Sequence, residues 1–298
     1  MLLSVPGKVL NRVILERLKE AVDTLLRDQQ AGFRKNRSCA DQIASLRIIV
    51  EQSLEWNSPL YINFIDYEKA FDSVDRETLW KLLKRYEIPK KIISTIKCNY
   101  QDMKCKVAHA CQLSDSFEVK RGMRQGCLLS PFLFILVIDW IMKTTTQGRN
   151  NGIQWTLTIQ LDDLDFADDK VLLSHNNRQM QDKTSHLELT SAQTGLKINT
   201  KKTELMKLNT AVNTPITVAG ASIREIQPLK RGIQQQTRTT RPEAGERVGQ
   251  FKIRIETYFN WWMDLSERNV IPSRSGNINA CVKDLRTFLM ERNLKRSW

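Results

Sequence analysis

LDFADD, residues 164–169, sets two adjacent aspartates at the end of one β-prone apolar run and ahead of a second, KVLLS at 170–174. Two short strands joined by a tight turn are the simplest reading, Trp155 to Leu164 and Asp165 to Ser174, with Asp168 and Asp169 in the turn. Far upstream, Leu60 to Ile65 is another short apolar run that ends on Asp66 and reads as a buried strand delivering a carboxylate at its end. A strand-end Asp and a hairpin-tip pair meet if the two elements are neighbours in one sheet, because strands lie only about 5 Å apart.

Three carboxylates at one sheet edge repel and raise one another's pKa, so the arrangement makes sense mainly when divalent cations neutralise it. Magnesium suits two or three Asp without His: it prefers hard oxygen ligands, keeps some water and completes its octahedron with phosphates. Two such ions roughly 3.5–4 Å apart activate an attacking hydroxyl and stabilise a leaving oxygen, which makes nucleotidyl transfer the reaction class. For Asp-Asp taken alone the competing reading is a solvated turn in which Asp makes local hydrogen bonds.

Around these segments the pattern is mixed α+β. Val9, Val13, Ile14, Leu18, Val22 and Leu25 follow helical spacing over residues 8–27 behind Pro6-Gly7. Ile43, Leu46, Ile49 and Val50 mark a second helix after the basic loop Arg34-Lys35-Asn36-Arg37. Helices follow at about 75–86 and 89–101, then two strands, Met103 to Ala108 and Ser116 to Lys120. Ser130-Pro131 opens a strongly apolar helix to about Thr146, with Ser as N-cap and Pro in the first turn. Gln179 to Gln193 is the next helix, with Gly195 as its C′ residue. Residues 204–224 carry two or three short strands; the polar, aperiodic QQQTRTTR at 234–241 lies beyond, and 225–298 reads as a separate, poorly defined region.

The chain holds 46 Lys and Arg against 33 Asp and Glu, a formal net charge of +13. That balance favours a polyanionic partner, against a merely solvated basic surface. Six cysteines form no CxxC pair and the three His complete no zinc spacing with them, which fits a reducing, intracellular setting, cytoplasm or nucleus. The longest apolar run, Phe132 to Ile138, is too short to cross a bilayer, and the N-terminus lacks a secretory pattern, so neither membrane nor secretion is expected.

Five segments in order resemble reverse transcriptases of non-LTR (LINE-type) retrotransposons: QAGFRKNRS (30–38) the finger motif, FIDYEKAFDSVDR (64–76) the palm motif with the first Asp, GMRQGCLLSPFLF (122–134) the template and nucleotide motif, LDFADD (164–169) the FADD/YADD box, and GLKINTKKTE (195–204) the motif after it. The resemblance spans residues 1 to about 224 and implies the fingers and palm of a right-hand polymerase, an antiparallel palm sheet packed on helices. It implies an RNA-directed DNA polymerase with two Mg2+ ions, Mn2+ being the usual substitute at such oxygen sites, and an RNA template, a DNA primer and dNTPs as partners. Asp66, Asp168 and Asp169 resemble the metal-binding and catalytic carboxylates. Phe71 resembles the aromatic gate that selects against a 2′-hydroxyl, with a core Phe as the other reading. Gln125 and Gly126 resemble the residues where backbone approaches the incoming base pair, with an ordinary pre-helix turn as the other reading. Arg34, with Lys35, resembles finger groups that neutralise the triphosphate, and Lys202, with Lys201, the lysine near the nucleotide; solvated surface charge competes for both.

The sequence departs from that family in three places. It starts at Met1-Leu2-Leu3-Ser4, where relatives carry an upstream finger edge, so an N-terminal truncation is expected. Lys170 follows Asp169 where an apolar residue is usual, and is expected to snorkel, to pair with an Asp or to compete with metal. After about Ile223 a tyrosine-containing primer grip and a helical thumb are not recognisable, and Trp261 and Trp262 read as core sooner than as base-stacking residues. A catalytically inactive retrotransposon remnant that still binds nucleic acid is therefore the alternative, and poor polymerisation with retained binding is the expectation for this chain.

Overall fold

The computed structural model describes residues 4–101, 103–106, 108–109, 112–124, 126–148, 151–156 and 159–226. Seven helices occur among them: α1 (Val5–Asp23), α2 (Cys39–Glu55), α3 (Ala70–Ser73), α4 (Arg76–Arg85), α5 (Lys90–Tyr100), α6 (Leu129–Thr146) and α7 (Asn177–Gln193). A five-stranded sheet is built from β1 (Leu60–Ile65), β2 (Asp163–Phe166), β3 (Asp169–Ser174), β4 (Glu204–Leu208) and β5 (Arg224–Ile226). Its order is β5-β4-β1-β3-β2; β5 lies parallel to β4 and every other pair is antiparallel.

All six residues of β1 are buried, because this central strand is covered on both faces. Alternation along the strand divides them. Leu60, Ile62 and Phe64 join a smaller core with Leu46, Ile49 and Val50 of α2. Tyr61 and Ile65 join the larger core under α1, α4, α5, α6 and α7. Asn63, on that same face, donates to Thr184 Oγ1 of α7 at 3.0 Å, so the one polar residue of the strand ties sheet to helix.

Local signals set the helix ends. Ser4 caps α1 by accepting from Gly7 N–H, and Ile14, Leu18 and Val22 form its buried stripe. Ser38 and Asp41 close a reciprocal capping box on α2. Gly195, just past α7, has φ +84°, the left-handed backbone expected of a C′ residue. α6 is apolar and long enough by composition to cross a bilayer, but 72% of it is buried against the rest of the fold, as the core helix of this domain.

Three expectations need correction. Ser130 is not the N-cap of α6: Leu128 holds that position, and the Ser130 hydroxyl reaches back to the carbonyl of Arg124 at 2.7 Å, so loop closure takes the group a cap would use. The first strand of the Asp168 hairpin is Asp163–Phe166; Ile153–Gln154 and Gln160–Leu161 form a separate ribbon before it. The strands expected at Met103 to Ala108 and Ser116 to Lys120 become two short ribbons, Lys104–Cys105 with Phe117–Glu118 and Ala108–His109 with Gln112–Leu113. Strand β5 covers Arg224–Ile226, and the expectations for 227–298, Trp261 and Trp262 included, lie outside the described residues.

Candidate active site

Strand register brings the carboxylates together. Ile65 of β1 pairs with Lys170 of β3, so the next step of the same antiparallel register sets Asp66 beside Asp169. Phe166 pairs with Asp169 across the β2–β3 hairpin, leaving Ala167 and Asp168 as its two-residue turn. Asp66, Asp168 and Asp169 are each partly exposed, while Ile65, Tyr67, Ala167 and Lys170 around them are buried. The carboxyl of Asp168 is pushed above its ordinary pKa, first by burial and then by the nearby charge of Asp66, with the Lys170 ammonium acting the other way.

One oxygen of that carboxyl, Asp168 Oδ1, is buried without a hydrogen-bond partner among the described residues. An anionic oxygen in that condition fits a hard divalent cation. Among the described residues no three Asp, Glu, His or Cys side chains are drawn together closely enough to form a metal cluster by themselves. Mutual repulsion opposes such a cluster, and the ion that would close it also takes ligands from water and phosphate.

The backbone around Asp66 is equally committed. Its N–H donates to Thr203 Oγ1 at 3.3 Å, and its carbonyl accepts from Asn199 N–H at 2.8 Å. Tyr67 bridges to Ile198, and Glu68 N–H reaches the Lys197 carbonyl. The turn carrying Lys201 and Lys202, both exposed, is thereby fastened to the Asp66 end of β1.

On the opposite side the finger segment meets the hairpin. Gln30 and Asp165 form a parallel bridge, with Ala31 N–H on the Asp165 carbonyl at 3.0 Å and Asp165 N–H on the Gln29 carbonyl at 3.3 Å. Residues 29–31 thus cover the free edge of β2. A Cβ on Gly32 would sit 2.2 Å from Ala167 N, so only glycine lets the loop backbone touch the Asp168 turn. Ala167 itself has φ +59°, a left-handed conformation that costs a non-glycine residue on the order of 1 kcal/mol.

Beneath the turn lies an ionic network that sequence reading missed. Arg27 grips both carboxylate oxygens of Asp163 at 2.8 Å and also donates to Asp165. Its backbone N–H donates to Asp139 Oδ1 at 2.9 Å, and Asp139 also accepts from Tyr86 OH at 2.5 Å and pairs with Lys143. Lys170, 1% exposed, donates to the Asp168 carbonyl at 3.1 Å and lies over the Tyr67 ring. Burial and Asp163 raise the Asp165 carboxyl; burial lowers the Lys170 ammonium. The available signal was Asp163 and Asp165 alternating along one strand with Leu164 between them, a pattern that puts both on one face and demands a buried cation.

The other expected residues scatter. Phe71 is partly buried and stacks on Phe134 with centroids 4.3 Å apart. Gly126 is exposed with φ +75°, and Gln125 lies outside the described residues. The Arg34 guanidinium donates to Asp23 Oδ1 and to the carbonyls of Asp23, Arg27 and Gln30, with its side chain 4% exposed. Those bonds use four of its five N–H donors in organising the finger loop.

The family model described as reverse transcriptase (RNA-dependent DNA polymerase) matches residues 1–239. The chain is 30% identical over 206 residues to the retrovirus-related Pol polyprotein from type-2 retrotransposable element R2DM of Drosophila melanogaster, covering 67% of this chain and 19% of that protein. It is 26% identical over 232 residues to the type-1 R2 Pol polyprotein of Nasonia vitripennis, covering 75% of this chain and 22% of that one. The chain thus spans about a fifth of the length of these relatives. In fold it is similar to apo telomerase from Candida Tropicalis truncated from its C-terminal domain, with a TM-score of 0.51 and 20% identity over 70% of this chain and 43% of that one. It also resembles telomerase from Candida Tropicalis in complex with a fragment of telomeric RNA, with a TM-score of 0.51 and 16% identity over 71% of this chain and 35% of that one.

Proposed function

The chain belongs to the reverse transcriptase family, and on that premise we propose that it forms the fingers and palm of an RNA-directed DNA polymerase of a non-LTR retrotransposon. The reaction is transfer of a nucleotide from a dNTP to a primer 3′-hydroxyl on an RNA template. The observation that supports this reading is the β1–β3 register, whose last pair, Ile65 with Lys170, runs on toward Asp66 and Asp169, near an Asp168 Oδ1 that is buried without a hydrogen-bond partner among the described residues.

Asp66, Asp168 and Asp169 are the residues that would hold Mg2+, with Mn2+ as substitute. Two bound ions supply activation of the primer hydroxyl and neutralisation of the leaving phosphate. The protein's own part is positional. The Thr203 and Asn199 contacts hold Asp66 at the strand end, and the hairpin register holds Asp169. Phe71, backed by Phe134, is the candidate sugar gate. Lys201, Lys202 and Gly126 remain candidates for the nucleotide side, Gln125 with them by resemblance. Template and primer are held through a surface whose net charge favours phosphate.

A second reading, an inactive remnant that binds nucleic acid, is favoured by Lys170, an ammonium buried beside the carboxylates. Primer extension on a homopolymer template with Mg2+ decides between the two. Extension by the chain, lost in Asp168→Asn while RNA binding stays, supports the polymerase; binding without extension in both proteins supports the remnant.

A further inference from the structure

We propose that Gln30 is a positioning residue for the Ala167–Asp168 turn, the element that sets the finger loop and the carboxylates in one geometry. The proposal rests on the metal-binding reading of that turn. Gln30 is 0% exposed, and its side-chain Oε1 accepts from Gly32 N–H at 2.8 Å and from Ala167 N–H at 3.3 Å. Both partners are N–H donors, so the amide orientation is dictated: the oxygen must face them, and a flipped amide would oppose donor to donor. One acceptor atom therefore joins the finger loop to the residue immediately before Asp168.

The residue it holds is the strained one. Ala167 has φ +59°, and such a conformation persists only where the surroundings enforce it. The Gly32 backbone pressing on Ala167 supplies the steric half of that enforcement, and the Gln30 carbonyl the hydrogen-bonding half. A small relaxation of Ala167 would swing Asp168 off the β1 end. The other end of the side chain adds to the case, because Gln30 Nε2 is buried without a partner among the described residues. An orphaned buried donor costs on the order of 1–3 kcal/mol, which a purely structural position would shed by carrying an apolar residue.

The test compares Gln30→Met, which keeps volume but removes the acceptor, with Gln30→Glu, which keeps an acceptor for both N–H groups. Mn2+ binding to the full chain without nucleic acid is followed by electron paramagnetic resonance, and amide exchange is read in parallel. Loss of an outer-shell contact typically weakens metal binding ~10–100-fold. We expect Gln30→Met to raise the Mn2+ Kd by ~10-fold or more and Gln30→Glu to bind at least as tightly as wild type. The Gly32 and Ala167 amides should lose protection in Gln30→Met while Ala31, bonded to the Asp165 carbonyl, keeps its own. Unchanged Mn2+ affinity in Gln30→Met, equal weakening by both substitutions, or protection lost alike at all three amides would overturn the proposal. If wild type binds no Mn2+, the metal reading fails by itself, and exchange decides Gln30: selective loss at Gly32 and Ala167 upholds its grip on the turn, and no loss refutes it.

Discussion

Asp163 and Asp165 lie on the strand that leads into Asp168 and Asp169, yet the two pairs live under opposite electrostatic conditions. The first pair is buried and answered inside the protein, by Arg27 across both carboxylates and by Lys170 close to Asp165. The second pair, with Asp66, is partly exposed at the end of the sheet; among the described residues a buried carboxylate oxygen without a hydrogen-bond partner occurs on both sides, Asp165 Oδ1 and Asp168 Oδ1, so exposure and the Arg27 bridge are what separate them. One residue type thus does two jobs a few positions apart, and the source of the countercharge separates them. Where Arg27 bridges both carboxylates the pair is architecture; where the carboxylates reach solvent and only the Lys170 ammonium stands nearby, an ion from outside has a place.

The largest expected effect breaks the exposed pair. Asp168→Asn should lower primer extension on the order of 1000-fold, the scale of several kcal/mol at ~1.4 kcal/mol per tenfold. RNA binding, measured at fixed salt, should stay within about twofold, because basic surface is untouched. A parallel fall in both would mean that the hairpin had unfolded, and the contrast with Asp163 and Asp165 would lose its basis.

Breaking the buried pair should act on stability. Arg27→Met removes the guanidinium that bridges Asp163 and Asp165, and losing one partner of a buried pair costs about 3–5 kcal/mol, readable as the shift of a denaturation midpoint. Combining it with Asp163→Asn and Asp165→Asn should restore much of the loss, since the uncompensated charge goes with them. A single substitution costing under ~1 kcal/mol would show that water, and not Arg27, answers those carboxylates.

Ion addition sharpens the contrast from the other side. A ligand present at a hundred times its Kd stabilises the fold that binds it by about 2.7 kcal/mol, which at this size raises the melting temperature by roughly 5–10 °C. Mn2+ should produce such a rise in wild type and none in Asp168→Asn. The same rise in both proteins would place the ion away from this turn.

Much of this was legible from residues alone, for a physical reason. Leu60 to Ile65 reads as a strand because an apolar run so short, ended by a charge, has few other fates, and its observed bounds are the expected ones. The second helix was legible from the spacing of Ile43, Leu46, Ile49 and Val50 and is observed as Cys39–Glu55. The meeting of Asp66 with the hairpin follows once both elements share a sheet. What could not be read depends on partners distant in the chain. Arg34 sits in a basic loop that looks solvated until the path of the chain from Asp23 to Gln30 curls carbonyls around it. Lys170 looks misplaced in a buried strand until Asp165 and the Tyr67 ring face it. Ser130 looks like a cap until the Arg124 carbonyl claims its hydroxyl.

The smallest expected effect concerns Phe71, which borders the exposed carboxylates in sequence but leans on the core for support. Its ring stacks on Phe134, a fully buried residue of α6, while the Phe71 carbonyl accepts from Met123 N–H at 2.8 Å. Backbone and one ring face are thus held by the core, and the partly exposed remainder of the ring is the part that can meet a sugar. Phe71→Val keeps the backbone contact and removes the ring. The lost aromatic pairing is worth about 0.5–1.5 kcal/mol, so stability should fall by about 1 kcal/mol and the fold should survive. In an extending enzyme the shorter side chain opens room for a 2′-hydroxyl, and use of rNTP relative to dNTP should rise ~10-fold, within the range that small changes of pocket size produce. A stability loss with an unchanged rNTP/dNTP ratio would assign the ring wholly to the core, and the sugar gate would then have to be sought elsewhere on the carboxylate side of the sheet.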